Sequence, residues 1–165
     1  MPVTVQVISF VAAAPARVFD LKLDVDVHAA SQHAAGETAA TRDGRRQLTL
    51  GDEVTFQARH FGIRWRMTSR ITAYQRPDEP ADAVGSPRTS GRFVDEQVRG
   101  PFAMMRHEHL FEADGAGTRM TDRMSFAAPF GPLGAVVARL VLAPHLRRLL
   151  TRRAAHLDAL VRAGG

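Results

Sequence analysis

Between Ile63 and Thr72 the chain alternates without a break: Ile63, Trp65, Met67, Ser69 and Ile71 on one side, and Arg64, Arg66, Thr68, Arg70 and Thr72 on the other. A period of two puts each set on its own face of an extended strand. One face is apolar apart from Ser69, and the other is cationic. Such a strand must cover a core on one side and meet water on the other. The chain is thereby bound to a sheet with one buried face, and the remaining segments must supply neighbours and a cover. The patterning is firm from Val54 to Tyr74 and predicts a long, half-buried strand.

Neighbours are easy to find. Val3 to Phe10 is apolar and β-branched, a first strand. The stretch "FAMMRHEHLFEADGAGTRMTDRMSF" (102–126) holds Asp114–Gly115, a favoured two-residue hairpin turn. With that turn, Phe111 pairs with Thr118, His109 with Met120, His107 with Asp122 and Met105 with Met124. The opposite face carries Arg106, Glu108 and Leu110 against Arg119, Thr121 and Arg123. Taking Gly100–Pro101 as the preceding turn sets Val94 opposite His107, Glu96 opposite Met105, and Asp95 opposite Arg106 on the outer face. Weaker signals predict short strands near Glu37 to Thr41 and at Leu48 to Leu50, separated by the turn "RDGRR".

The cover comes from helices. Pro15 suits a first helical turn, and "PARVFDLKLDVDVHAASQHAA" reads as one or two short helices closed by Gly36. After Pro129, Leu133, Val137, Leu140, Leu146, Leu149, Leu150, Leu157, Leu160 and Val161 recur at helical spacing, with arginines on the other side. Pro144 should kink this helix or split it in two. Between the strands, "RPDEPADAVGSPRTSG" (76–91) has nothing to bury and reads as a mobile surface loop. The fold class is therefore α+β: a curved antiparallel sheet wrapped around a long C-terminal helix, with core or cavity between them.

Composition removes several alternatives. The 165 residues suit one domain, 1–165, with a real core. There is no cysteine, which excludes disulfides, thiolate metal sites and cysteine nucleophiles. No apolar run is long enough to span a bilayer. The start "MPVTVQVISFVAAAPA" lacks the basic region of a signal peptide, and Gln6 and Ser9 interrupt it, so a cytoplasmic protein is expected. The net charge is +5, but Lys22 is the only lysine among 22 basic residues. The arginines are scattered, with no nucleic-acid-binding motif, so no nucleic-acid partner is expected. Stable membrane insertion is not expected either, while a weak surface contact stays open. The oligomeric state is not legible.

The segments "GDEVTFQARHFGIRWRMTSRITAYQRP", "RFVDEQVRGPF" and "RHEHLFEADGAGTRMTDRMSFAAPFGPLG" resemble the START-like helix-grip superfamily, related to polyketide cyclase/dehydrase and lipid-transport proteins. The similarity is greatest to a small bacterial ligand-binding branch with the pattern H-x-H-x-F … GT-x-x-x-D. His107, His109, Phe111, Gly117, Thr118 and Asp122 fit that pattern. The resemblance runs from about Val3 to Leu160 and implies a deep apolar pocket between the concave face and the terminal helix. The segment 76–91 departs from it by its length. The superfamily hosts binders, transporters and enzymes, so membership alone does not imply an activity.

Within such a pocket His107 and His109, two apart on a strand, point the same way. That spacing can hold a metal with Asp122 or Glu96 as a third ligand. The more economical reading has the carboxylates hydrogen-bonding the imidazoles in an otherwise apolar wall, so no metal and no cofactor are expected. The same residues permit acid–base catalysis of the cyclase or dehydratase kind, with His107 or His109 as base, Asp122 as orienter and Glu96 as acid. The expected apolar lining is Trp65, Met67 and Ile71 from the long strand, and Met105, Phe111, Met120, Met124 and Phe126 from the hairpin. Its surplus of methionine suits a site for varied ligands. Arg147, Arg148 and Arg152 read as a solvated face. Arg153, beside the leucines, is expected inward, where it can hold a ligand carboxylate at the pocket mouth. The expected partner is a small hydrophobic molecule with a polar or carbonyl end.

Overall fold

The computed structural model describes residues 1–33, 36–78 and 90–164. The elements follow in the order β1 (Val3–Val11), α1 (Pro15–Leu23), α2 (Val25–Ala30), β2 (Thr38–Thr41), β3 (Glu53–His60), β4 (Ile63–Gln75), β5 (Ser90–Arg99), β6 (Met104–Asp114), β7 (Gly117–Ala127), α3 (Gly131–Val137), a π-helical turn (Ala138–Leu142) and α4 (Ala143–Ala163). All strand pairs are antiparallel, in the order β1-β7-β6-β5-β4-β3-β2. The α+β class expected from the patterning is the fold observed: a curved seven-stranded sheet closed over the long terminal helix.

Local chemistry explains most of the boundaries. Pro15 opens α1, where a missing N–H costs nothing. Asp24 separates α1 from α2, and its side chain accepts from the N–H groups of Asp26 and Val27. The long patterned stretch is a hairpin rather than one strand. Phe61 and Gly62 turn between β3 and β4, both at positive φ (53° and 74°), as a tight two-residue hairpin requires. Leu48 is buried but belongs to no strand; only Gln47 forms an isolated bridge, with Asp24. Most of the expected loop at 76–91 lies outside the described residues, and β5 begins at Ser90.

Pro144 neither breaks nor ends the terminal helix. The π-turn immediately before it widens the helix where the ring would otherwise strike the preceding turn, and α4 continues for 21 residues.

Two registers differ from expectation. In β6–β7 the turn residues are Gly115 and Ala116, so His109 faces Asp122, Phe111 faces Met120 and His107 faces Met124. Gly115 holds the positive φ (57°) that the first central residue of such a turn takes, and Asp114 stays in the ladder opposite Gly117. A shift of two residues keeps every side chain on its expected face.

The β5–β6 shift is a single residue, and it exchanges the faces. Asp95 pairs with His107, Phe93 with His109, and Glu96 with Arg106. Gly100–Pro101 is not a two-residue turn. The strands part beyond Glu96, and the Gln97 side chain holds the loop by donating to the Phe102 carbonyl (2.8 Å) and accepting from its N–H (3.2 Å). Asp95 therefore turns to the concave face, and Glu96 lies outside beside Arg106.

Two packed regions flank the middle of the sheet. Phe19 of α1 makes edge contacts with Tyr74, Phe93 and Phe111, over a base of Met120, Leu157 and Val161. Towards the other end Val5, Met105, Phe126 and Leu150 form the second region. Among the described residues no helix is long and apolar enough to cross a membrane.

Candidate functional site

Between the two packed regions the concave face and α4 leave a cavity of about 140 Å³. Space of this order, about 150 Å³, holds one benzene ring. Its apolar wall includes Trp65, Met67 and Ile71 of β4, Met105 and Met124 of the β6–β7 hairpin, and Leu146, Leu149 and Leu150 of α4. Phe111, Met120 and Phe126, expected in the lining, are instead fully buried in the two packed regions that flank the cavity.

The polar end is built by alternation along three adjacent strands. Asp95 on β5, His107 and His109 on β6, and Asp122 on β7 share the inward face. The His109 Nε2 lies 3.1 Å from Asp95 Oδ1, and its Nδ1 lies 2.7 Å from Asp122 Oδ1. His107 takes the same pair of carboxylates less closely, Nδ1 at 3.8 Å from Asp95 and Nε2 at 3.3 Å from Asp122. Asp95 and both histidines line the cavity, whereas Asp122 is wholly buried behind the rings. From the end of α1, Lys22 reaches Asp122 with Nζ 3.0 Å from Oδ1 and 3.3 Å from Oδ2.

Charge follows from these neighbours. Burial, reinforced by His109, pushes the His107 imidazole down to about 4 against the pull of both carboxylates, so it is neutral at neutral pH. Burial alone would raise Asp122, but the Lys22 ammonium and the two imidazoles outweigh it and hold the carboxyl well below its ordinary range. For Asp95 burial is likewise overcome, chiefly by the hydrogen bond from His109 and the nearby His107. Both carboxylates are thus ionised, one facing the cavity and one locked behind it.

A second polar group closes the side under α4. Arg153 does face inward, but its guanidinium already grips Glu37, with Nη2 3.0 and 2.8 Å from the two carboxylate oxygens. That pairing corrects the idea of a free cation waiting for a ligand carboxylate. Burial raises the Glu37 carboxyl in spite of Arg153. His28 packs at a tilt on Phe56 and stands 3.5 Å from Glu37. Burial first, then Arg153 and Lys22, keep its imidazole well below the ordinary value. At the mouth, His60 Nδ1 and His145 Nε2 meet at 3.2 Å, and the exposed Phe61 ring packs on His145.

Four of the expected polar residues therefore converge on or under the cavity: His107, His109, Asp122 and Arg153. Glu96 does not, because its strand face is turned outward. Sequence reasoning missed Asp95, Lys22, His28, Glu37 and the His60–His145 pair. Lys22 carried a usable signal: Val18, Phe19, Lys22 and Leu23 form one helical stripe, and its other members are fully buried. Asp95 carried none, since Phe93–Asp95–Gln97 and Val94–Glu96–Val98 are equally plausible inward faces.

The fold that frames the cavity has structural parallels. The protein TTHA0849 from Thermus thermophilus superposes with a TM-score of 0.69 at 16% identity, covering 96% of this chain and 99% of that one. The KanY protein (ms6282) gives 0.69 at 12% identity, with 98% and 99% covered. Ginseng major latex-like protein 151 from Panax ginseng gives 0.62 at 12%, with 96% of each chain covered. These identities establish a shared fold. No functionally curated protein matches the sequence. The family model described as polyketide cyclase / dehydrase and lipid transport matches residues 2–162, and the chain belongs to that family.

Proposed function

We propose that this protein binds a small hydrophobic molecule in the cavity, with a polar or carbonyl end directed at Asp95, His107 and His109. The observation that carries this reading is the make-up of the cavity: largely apolar walls that carry a few compact polar clusters, the Asp95–His107–His109 group on the sheet foremost. Small-molecule sites are built this way, with a few convergent polar groups in a mostly apolar enclosure. Membership of a family described by polyketide cyclisation and lipid transport supports the same class of ligand. Trp65, the only tryptophan, lines the cavity and supplies the test. Titration with hydroxylated or keto aromatic compounds should shift its fluorescence saturably, and apparent affinity should fall at least tenfold in Leu149→Phe, which adds bulk to the cavity wall. A linear, non-saturating response to every compound would sink the proposal.

One observation favours a second reading, acid–base catalysis of the cyclase or dehydratase kind. His107 is neutral, faces the cavity and has Asp122 behind it as an orienter. Turnover abolished in His107→Ala with ligand affinity retained would establish the enzyme.

A third reading, a non-catalytic carrier that docks on a membrane surface, draws on a different part of the molecule. Phe130, Leu133 and Leu140 are 84%, 70% and 73% exposed on the start of the terminal helix, and no acidic residue occurs between Asp122 and Asp158. An apolar, acid-free helix suits transient contact with anionic lipid during cargo exchange. Salt-sensitive co-sedimentation with phosphatidylserine vesicles, lost in Leu133→Asp, tests it.

A further inference from the structure

We propose that Asp95, His107 and His109 form a binding site for a divalent transition-metal ion of the zinc class, open to the cavity. The three side chains offer one ligand atom each, and all three atoms lie within 4.8 Å of one another. Asp95 Oδ1 stands 3.1 Å from His109 Nε2 and 3.8 Å from His107 Nδ1. Around a tetrahedral zinc with bonds of about 2.0–2.1 Å, neighbouring ligand atoms are separated by roughly 3.3 Å. Small side-chain adjustments would bring the set to that spacing.

A second observation concerns the far side of each ring. His107 Nε2 and His109 Nδ1 are buried and have no aligned hydrogen-bond acceptor. Both nevertheless lie beside one oxygen, Asp122 Oδ1, at 3.3 and 2.7 Å. A carboxylate behind a histidine draws the ring proton to the far nitrogen and leaves the near nitrogen's lone pair for a metal. Here one buried carboxylate, anchored by Lys22, serves both rings. Without an ion, His109 Nε2 already lies at hydrogen-bond distance from Asp95 Oδ1, so the two proposed ligand atoms face one another.

Two histidines and one carboxylate leave further coordination positions, and these face the apolar cavity. With Lys22 protonated and both aspartates ionised, a divalent ion leaves the cluster one positive charge in excess. An anionic oxygen donor on an apolar body, such as an enolate or a phenolate, would neutralise it. The ligand class of the metal site thus agrees with the proposed cargo, although metal binding itself does not rest on that reading. The His60–His145 pair also brings two ring nitrogens to 3.2 Å, but it is absent from the only three-ligand group among the described residues.

The test uses the full chain, stripped with chelator and titrated with cobalt(II) alone. One equivalent should bind and give visible d–d absorption, which zinc(II) should abolish by displacement. His107→Ala and His109→Ala should lose the absorption, and His60→Ala should keep it. Asp122→Asn, a change in a positioning residue, should weaken cobalt affinity about 10–100-fold while retaining the band shape. Where an alanine variant fails to fold, NMR of the wild-type protein decides, since bound cobalt must shift the ring protons of His107 and His109 before those of His145. No absorption with wild-type protein in excess cobalt overturns the proposal. So does absorption that survives both alanine variants, or an ion that shifts only His60 and His145.

Discussion

At the scale of single residues, Lys22 and Asp122 decide whether the sheet can hold charge at its centre. Asp122 is wholly buried and Lys22 nearly so. Removing one partner of such a pair strands the other, which typically costs about 3–5 kcal/mol. Lys22→Met should therefore lower the urea midpoint sharply, and Lys22→Met combined with Asp122→Leu should recover part of the loss. A double variant no more stable than Lys22→Met would show that the pair is not the source of the cost. The buried histidines make stability depend on pH. His28 and His107 are held below their ordinary value, so the unfolded chain binds protons that the folded chain refuses. Stability should be highest above about 6.5 and fall as pH drops towards 4, the window set by His107. Asp122, held low, extends the loss further into acid, while Glu37, held high, acts in the opposite sense just above its ordinary 4.5. Urea midpoints measured across this range check the sign, and a flat profile would contradict the burial of neutral imidazoles.

At the scale of elements, the patterned strands were legible and their registers were not. Periodicity of Trp65, Met67 and Ile71 is strong because apolar and cationic residues alternate across the strand. In β5 the same test is silent, since Asp95 and Glu96 are equally acidic, and Gln97 replaces the turn with side-chain bonds that no turn signal announces. The functional consequence is large, because one residue of slip decides which carboxylate meets the histidines. The two positions should separate cleanly. Glu96→Ala removes a loose, exposed pair and should change stability by about 0–1 kcal/mol with ligand affinity intact. Asp95→Ala should depress ligand affinity at least tenfold in the Trp65 titration. Equal effects would argue against the observed register. The β3–β4 turn offers a further check. Phe61 holds positive φ, a conformation costing a bulky residue about 1–2 kcal/mol, while its ring covers the His60–His145 pair. Phe61→Asn relieves the backbone and uncovers the mouth. Stopped-flow measurements should find faster ligand exchange without loss of thermal stability, and slower exchange would place the gate elsewhere.

At the scale of the whole molecule, sheet and terminal helix are joined by packing at both ends and held apart in the middle. The helix-grip arrangement could be anticipated from the order of strands, short helices and one long amphipathic helix. The polar constellation could be anticipated only in part, because Lys22, Glu37 and Arg153 meet it through tertiary packing rather than along any one strand. Family membership and cavity together make occupancy by a small organic molecule the central claim. Native mass spectrometry of gently purified protein, set against the same chain after denaturation, tests it most directly. The account predicts an organic mass excess that disappears on unfolding and returns when the stripped protein is exposed to hydrophobic cellular extract. A bare native mass both before and after such exposure would contradict it.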